Sequence, residues 1–164
     1  DTDGELCRGA GIKENFPNLV MVPTPIATVD IIVFTKNLEF PVEGWECLRP
    51  YRIGLQRGFR LGEVNTKGMT TYPVEIEQAF YMLDAGRVDV VVAPRLTGLN
   101  VLNNLNLTGI KILTPRLQQD VLYHFLHKKH QHLVPKLAKI LEEMKKSGEI
   151  DRIRKKAEEG IKRP

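Results

Sequence analysis

Long apolar runs and cysteine are both scarce in this chain, and each scarcity removes a class of protein. The sequence has no stretch of about eighteen or more uncharged apolar residues, so no segment predicts a membrane-spanning helix. The two cysteines, Cys7 and Cys47, are too few and too far apart for a disulfide framework or a four-ligand zinc site. We expect two free thiols, with a single pairing as the alternative, and cysteine usage leaves the compartment open.

Motifs of catalysis and metal binding are missing as well. The sequence contains no Gly-x-Ser-x-Gly elbow, no phosphate-binding Gly-Lys-Ser/Thr loop and no paired-histidine metal motif. Four histidines are clustered, but strand alternation sends His124 and His127 to opposite faces, while His130 and His132 fall at the following turn and helix start. We therefore expect a protein that is not an enzyme and that holds no metal or cofactor.

Positive charge is concentrated near the C-terminus, in "MKKSGEIDRIRKKAEEGIKRP", and the net charge is +4. Acidic residues interrupt this stretch, and Ile150, Ile153 and Ile161 form a helical apolar stripe, so a solvated helix face explains the charge. No aromatic residues alternate with the basic ones to stack on bases. We expect no nucleic-acid partner.

Strand-like and helix-like segments alternate along the chain. Apolar and β-branched runs bounded by Gly or Pro predict strands at 18–22, 29–36, 51–55, 88–93, 109–114 and 121–127. Apolar spacing of i, i+3, i+4 and i+7 predicts helices at 75–86, 133–147 and 149–161, and a short helix after Gly58. This alternation predicts an α/β architecture with mainly parallel sheets.

The segment "GRVDVVVAPRLTG" at 86–98 indicates where a binding cleft lies. The strand 88–93 is apolar at nearly every position, as expected of a strand that is buried on both faces. Ligands of such sheets collect at the carboxyl ends of the strands. We therefore expect a cleft at Ala93, Pro94 and Arg95.

Two proline-rich joints divide the chain. "VPTPIAT" at 22–28 and "TPRLQQD" at 114–120 each connect one strand to another with no helix between them. Two extended crossings are what a two-lobed protein needs if its chain passes from one lobe to the other and back. We expect residues 29–117 to form one lobe, and 1–25 with 121–164 to contribute to the other.

Four segments, in order, carry a resemblance to a known family. They are "PNLVMVPTPIATVDIIVFTKN", "GWECLRPYRIGLQRG", "EQAFYMLDAGRVDVVVAP" and "LVPKLAKILEEMKKSGEIDRI". Together they resemble periplasmic solute-binding proteins of the amino-acid-binding type, which have the type 2 periplasmic-binding fold, and the related sensor domains of receptors. The resemblance covers nearly the whole chain, but "DTDGELCRGAG" is similar to a strand that follows the first part of lobe 1. It implies an incomplete first lobe, so we expect either a fragment of a longer protein or a second copy that supplies the missing surface, since exposed apolar sheet favours a homodimer.

The resemblance also implies a set of ligand-binding residues. Gly58, Phe59 and Arg60 match the loop where a strand leads into a helix N-terminus, which suits a carboxylate. Pro94 stands where the amino-acid binders usually have an aspartate for the ligand's ammonium group, so binding of an ordinary amino acid is in doubt and Arg95 favours an anion. Arg8 matches a cleft position of lobe 1 where an arginine grips a carboxylate. The alternatives are a plain turn at Gly58, a surface arginine at 95 and a salt bridge at Arg8.

The function that follows is solute binding outside the cytoplasm. The resemblance implies a periplasmic protein that closes by hinge motion at 22–28 and 114–120 on a small, carboxylate-bearing ligand, amino-acid-like or an organic acid. Its partner is an ABC-type membrane transporter or a receptor. The alternatives are a ligand-sensing domain of a receptor or regulator, and an enzyme on the related two-lobed transferase fold.

Overall fold

The computed structural model describes residues 2–159, which form two compact units. Among these residues, one unit is Asp30–Gln119, and the other joins the residues before Asp30 to Asp120–Glu159. No helix in this described stretch is long and apolar enough to cross a membrane. The last predicted helix extends to 161, so its final residues, with Ile161, lie outside the described residues.

Eight strands and five α-helices lie within residues 2–159. The strands are β1 (Gly4–Gly9), β2 (Leu19–Met21), β3 (Ala27–Thr35), β4 (Ile53–Gln56), β5 (Thr71–Val74), β6 (Val90–Pro94), β7 (Lys111–Ile112) and β8 (Gln118–His127). The α-helices are α1 (Arg60–Asn65), α2 (Ile76–Asp84), α3 (Arg95–Leu105), α4 (Val134–Lys146) and α5 (Glu149–Glu159). Short 3-10 turns lie at Ala10–Glu14, Trp45–Leu48 and Lys128–Leu133.

The α/β class is confirmed, but the pairing is mixed rather than mainly parallel. In the described part of the chain, the parallel pairs are those of β4 with β5 and with β6. β3 is antiparallel to β6 and β7, and β8 is antiparallel to β1 and β2. The reason is that parallel neighbours need a crossover, usually a helix, which α1 and α2 supply between β4, β5 and β6. No α-helix separates β3 from β4 or β7 from β8.

The core of unit Asp30–Gln119 is built between its strands and the helices α2 and α3. Phe34 of β3 and Phe80 of α2 meet edge to face, with ring centroids 5.0 Å apart, and both are fully buried. Gly98 of α3 lies against the Phe34 ring, where a Cβ atom has no room. The apolar spacing that predicted α2 is confirmed, because Ile76, Ala79, Phe80 and Leu83 are its buried residues.

In the other unit, β1 and β2 both pair with β8, and the unit also contains α4 and α5. Phe125 of β8 and Leu141 of α4 are buried, and the Thr24 hydroxyl donates to the Ala138 carbonyl at 3.2 Å. Pro135 lies in the first turn of α4, where its missing N–H is tolerated. Gly148, with a φ of 72°, ends that helix, as predicted.

Candidate functional site

Three strand ends lie at one edge of the sheet in unit Asp30–Gln119. Leu55 of β4 is in register with Val92 of β6, and the two strands are parallel, so both chains leave the sheet at the same edge. β3 is antiparallel to β6 and pairs Ile31 with Pro94, so the beginning of β3 lies at this edge too. The edge is where ligands collect in open α/β sheets.

An open cleft lies at this edge, within the one unit. It is wide open to solvent, and its volume is about 490 Å³. It is lined by Asp30, Ile32, Arg95, Ile112, Leu113, Thr114, Pro115 and Arg116. The lining thus combines two guanidinium groups, one carboxylate and an apolar wall.

Arg95 is the predicted site residue that lines this cleft. It is the first residue of α3, directly after Pro94 at the N-cap, and it is exposed. Its guanidinium group has no hydrogen bond or salt bridge to any of residues 2–159. Arg95 is therefore a cation that has no counter-ion among residues 2–159. Pro94 has neither a side-chain acceptor nor a negative charge to offer a ligand's ammonium group.

Asp30 is the acidic residue of the cleft, and its carboxylate contacts two residues of the joint at 114–120. The Gln119 side-chain amide donates to Asp30 Oδ1 at 2.9 Å, and Arg116 Nη1 lies 3.5 Å from the same oxygen. An N–O distance of 3.5 Å is long for a charge-assisted hydrogen bond. Arg116 is thus only loosely paired, and its side chain is 52% exposed.

The Gly58 loop adopts the predicted strand-to-helix turn. The backbone N–H of Gly58, however, is already bonded to a side chain of the helix that follows. Gly58 has a φ of 78°, and its N–H donates to Glu63 Oε1 at 2.9 Å. Phe59 is the N-cap of α1, its ring packs against Gly62, and Arg60 begins this six-residue helix. None of the residues from Gly58 to Arg60 lines the 490 Å³ cleft. Their contact with a ligand stays a prediction.

Arg8 lies on β1, in the other unit. Its Nε donates to Glu5 at 3.1 Å, and its side chain is 54% exposed. This contact matches the salt-bridge alternative that the sequence left open. A role of Arg8 in ligand binding also stays a prediction.

The histidines and cysteines are not gathered into a site in the described chain. His130 Nε2 lies 3.1 Å from Asp3 Oδ1, and Lys129 Nζ is 2.7 Å from the same oxygen. Among residues 2–159 no group of three or more His, Cys, Asp or Glu is arranged to hold a metal ion. Cys7 and Cys47 are both free, and desolvation raises the pKa of the Cys7 thiol, so that thiol is not activated.

Sequence reasoning missed most of the cleft wall. Asp30 and Arg116 were not singled out, although Asp30 closely follows the first proline-rich joint and Arg116 lies within the second. The two proline-rich joints were the sequence signal that could have pointed to these two residues. If two crossings run side by side, then charged residues next to them are neighbours in space.

Comparisons with known proteins identify the fold. The chain matches no model of a protein family. Over 162 residues it is 24% identical to an uncharacterized protein of Shewanella oneidensis, covering 94% of this chain and 61% of that protein. The chain thus spans about three fifths of the length of this curated relative.

Solved structures give the stronger similarity. A histidine kinase sensor domain with similarity to periplasmic binding proteins matches with a TM-score of 0.78 and 18% identity, over 94% of this chain and 69% of that one. An ancestral arginine-binding protein bound to arginine matches with a TM-score of 0.69 and 25% identity, over 88% and 66%. The arginine-, lysine-, histidine-binding protein of Geobacillus stearothermophilus matches with a TM-score of 0.68 and 19% identity, over 97% and 68%.

The chain therefore has a periplasmic-binding-protein-like fold, and the expected resemblance is confirmed at the level of fold. The neighbours described above are two amino-acid-binding proteins and a sensor domain. The part of each neighbour that the chain matches is about two thirds.

Proposed function

We propose that this chain is the main part of a solute-binding protein that works outside the cytoplasm, in the periplasm, and closes on a small ligand that carries a carboxylate. The fold supports this proposal, since the chain matches solute-binding and sensor structures over most of its length. Its partner is a membrane transporter or a receptor. The protein binds its ligand without turnover and without a metal or cofactor.

The observation that carries the ligand class is Arg95. This cation stands at the carboxyl edge of the sheet, beside an open cleft, with no counter-ion in the described chain. A carboxylate satisfies a guanidinium group with two parallel hydrogen bonds. The remaining proposed contacts are Gly58, Phe59, Arg60 and Pro94 at the same edge, and Arg8 from the other unit.

We assign the two lobes on the basis of the two compact units. We propose residues 29–117 as lobe 2, 1–25 with 121–164 as the partial lobe 1, and hinges at 22–28 and 114–120. The division at Asp30 and Gln119 supports this assignment. Closure of two lobes by rotation at such joints is how this architecture traps its ligand.

A thermal-shift screen tests the proposal. The 164-residue chain is heated with matched sets of carboxylic acids, amino acids and uncharged sugars. We expect at least one carboxylate to raise the Tm, because a ligand that binds only the folded state stabilises it. Arg95→Gln should reduce that rise, while Arg87→Gln, which changes an exposed arginine away from the cleft, should leave it unchanged. If no compound of any set raises the Tm, the proposal is wrong.

The sensor domain is the second candidate, and one comparison favours it. The histidine kinase sensor domain matches with a TM-score of 0.78, against 0.69 and 0.68 for the two amino-acid binders described above. Osmotic shock of cells that express the protein containing this chain distinguishes a transport function from a sensor function. A binding protein that serves a transporter should be released with the periplasmic contents, whereas a sensor domain should stay with the membrane fraction.

A homodimer through the incomplete lobe is the remaining proposal. Large apolar side chains are exposed in the unit that contains β1 and α5, among them Leu6 at 76%, Ile153 at 57% and Phe16 at 55%. Burying such side chains against a second copy removes apolar surface from water. Light scattering on the purified chain should therefore give twice the monomer mass of 18.6 kDa. A mass of one chain at all concentrations contradicts this proposal.

A further inference from the structure

We propose that the cleft in unit Asp30–Gln119 binds a small organic monoanion that has no ammonium group, and that this anion takes the place of Asp30 as the partner of Arg116. The inference rests on the proposed function and names its ligand class. Every residue that lines the cleft belongs to this one unit. The contacts argued below therefore all come from this unit.

The charges of the cleft favour an anion. Arg95 and Arg116 carry two positive charges and Asp30 carries one negative charge, so the lining has a net charge of +1. Arg95 has no protein partner among the described residues, and Arg116 has only the 3.5 Å contact with Asp30. One bound carboxylate makes the cleft neutral and gives both guanidinium groups a partner.

The same charges disfavour an amino acid. Asp30 is the only carboxylate among the described residues that line the cleft, and its Oδ1 already accepts from Gln119. An ammonium group would have to approach Asp30 beside Arg116 and would meet net positive charge. Pro94, next to Arg95, has no side-chain acceptor.

The apolar wall sets the size and shape of the ligand. Ile32, Ile112, Leu113 and Pro115 line the cleft with the charged residues, and Thr114 adds a hydroxyl group. A volume of about 490 Å³ leaves room for a compact aliphatic body. A carboxylate on a short hydrocarbon chain fits this lining.

Exchange at Arg116 is the distinctive step. Arg116 lies 3.5 Å from Asp30, whereas Arg52, also partly exposed, lies 2.7 Å from Asp89. The longer contact marks the Asp30 pair as the weaker of the two, which an incoming carboxylate displaces. Asp30 thus competes with the ligand for Arg116, and removing its charge should help the ligand to bind.

Three probes of nearly equal size test the ligand class by titration calorimetry at low salt. They are butyrate, an anion; butyramide, its neutral counterpart; and 2-aminobutyrate, a zwitterion. We expect the 164-residue chain to bind butyrate at least tenfold more tightly than either of the others. Equal affinity for butyrate and 2-aminobutyrate, or no butyrate binding at millimolar concentration, overturns the inference.

Four variants test the assigned residues. Arg95→Gln and Arg116→Gln should each weaken butyrate binding tenfold or more, and Arg87→Gln should leave it unchanged. Asp30→Asn should tighten binding several-fold, because the competing carboxylate is gone while an amide that can still accept from Gln119 remains. A merely structural role of Asp30 predicts the opposite sign, so weaker butyrate binding in Asp30→Asn overturns the exchange.

The failure of this inference differs from the failure of the proposed function. Suppose that an amino acid binds equally well to the original chain, to Arg95→Gln and to Arg116→Gln. The monoanion site is then wrong, but the proposal of solute binding still holds. An absence of binding by every compound of the thermal-shift sets removes both.

Discussion

Arg52 and Asp89 form a bidentate ion pair that fixes the beginning of β4 beside the beginning of β6. Arg52 Nη2 and Nε donate to the Asp89 carboxylate at 2.7 and 3.0 Å, and the Arg52 backbone N–H donates to it at 2.7 Å. The Asp89 N–H in turn donates to the Arg52 carbonyl at 2.8 Å. These contacts align the two parallel strands whose far ends bound the cleft edge. Asp89, which belongs to the quoted segment "EQAFYMLDAGRVDVVVAP", thus has a structural role.

Asp89→Asn should lower the free energy of unfolding by roughly 1–2 kcal/mol, since it weakens several charge-assisted hydrogen bonds to a side chain that is 29% exposed. Urea denaturation measures this change. Glu46→Gln is the matched control, because its pair with Arg49 is exposed on both sides and should contribute close to nothing. Equal losses in the two variants would contradict the account of Asp89.

The same pair predicts a dependence on pH. Hydrogen bonds from Arg52 lower the pKa of Asp89 below its ordinary value of 3.8. A lowered folded-state pKa means that the stabilisation is fully present above the ordinary value and is lost as the pH falls through the lowered one. The stability difference between the original chain and Asp89→Asn should therefore shrink in this acid range. A difference that stays constant to the most acid pH at which the chain is folded counts against this reasoning.

Asp3 should titrate at a lower pH than an ordinary aspartate. Hydrogen bonds from Lys129 and His130 lower the pKa of Asp3 from 3.8 to about 2. Its contacts should thus persist above pH 3.8 and weaken as the pH falls toward 2. An NMR titration of the Asp3 carboxyl carbon measures this pKa. Lys129→Met should raise it toward the ordinary value, and an unchanged value in that variant would remove Lys129 as the main cause.

Gly98→Ala should destabilise the unit Asp30–Gln119. The added Cβ overlaps the ring of Phe34, which is fully buried and locked against Phe80, so the expected loss is roughly 1–3 kcal/mol. Gly11→Ala is the control, because no atom lies within 4 Å of a Cβ at that position. Urea denaturation of both variants checks the difference. Full stability of Gly98→Ala would show that the ring can move aside.

Arg60 and Arg8 are the untested arginines of the proposed site. Arg60→Ala and Arg8→Ala should each weaken binding of the natural ligand several-fold if the side chains contact it. Arg49→Ala is the control, since that arginine pairs with Glu46 on the surface. Affinities from calorimetry decide the matter, and unchanged values in both variants remove Arg60 and Arg8 from the site.

Much of the fold could be predicted from local patterns. The six predicted strands and the helices at 75–86 and 133–147 are present, because their apolar spacing is strong and Gly or Pro marks their ends. α3 and β5 were not predicted. α3 contains Gly98 and three asparagines, which are weak helix formers, and β5 has a proline within an edge strand. Packing against the core overrides both local preferences.

The cleft was harder to predict than the fold. Arg95 was found because it follows a buried strand directly. Asp30 was missed because its partner Gln119 is 89 residues away, and no periodicity within one segment reports such a contact. The hydrogen bond from the Gly58 N–H to the Glu63 carboxylate was missed for another reason. A glycine at a strand-to-helix turn is equally typical of a turn whose N–H groups are free and of one whose N–H groups already bond a side chain.

Native mass spectrometry of the gently purified 164-residue chain tests the central claim, solute binding, most directly. We expect a bound mass that disappears on denaturation, and that proves to be a small carboxylic acid when it is released. An apo chain that also fails to acquire any mass from the carboxylate, amino-acid and sugar sets would contradict solute binding.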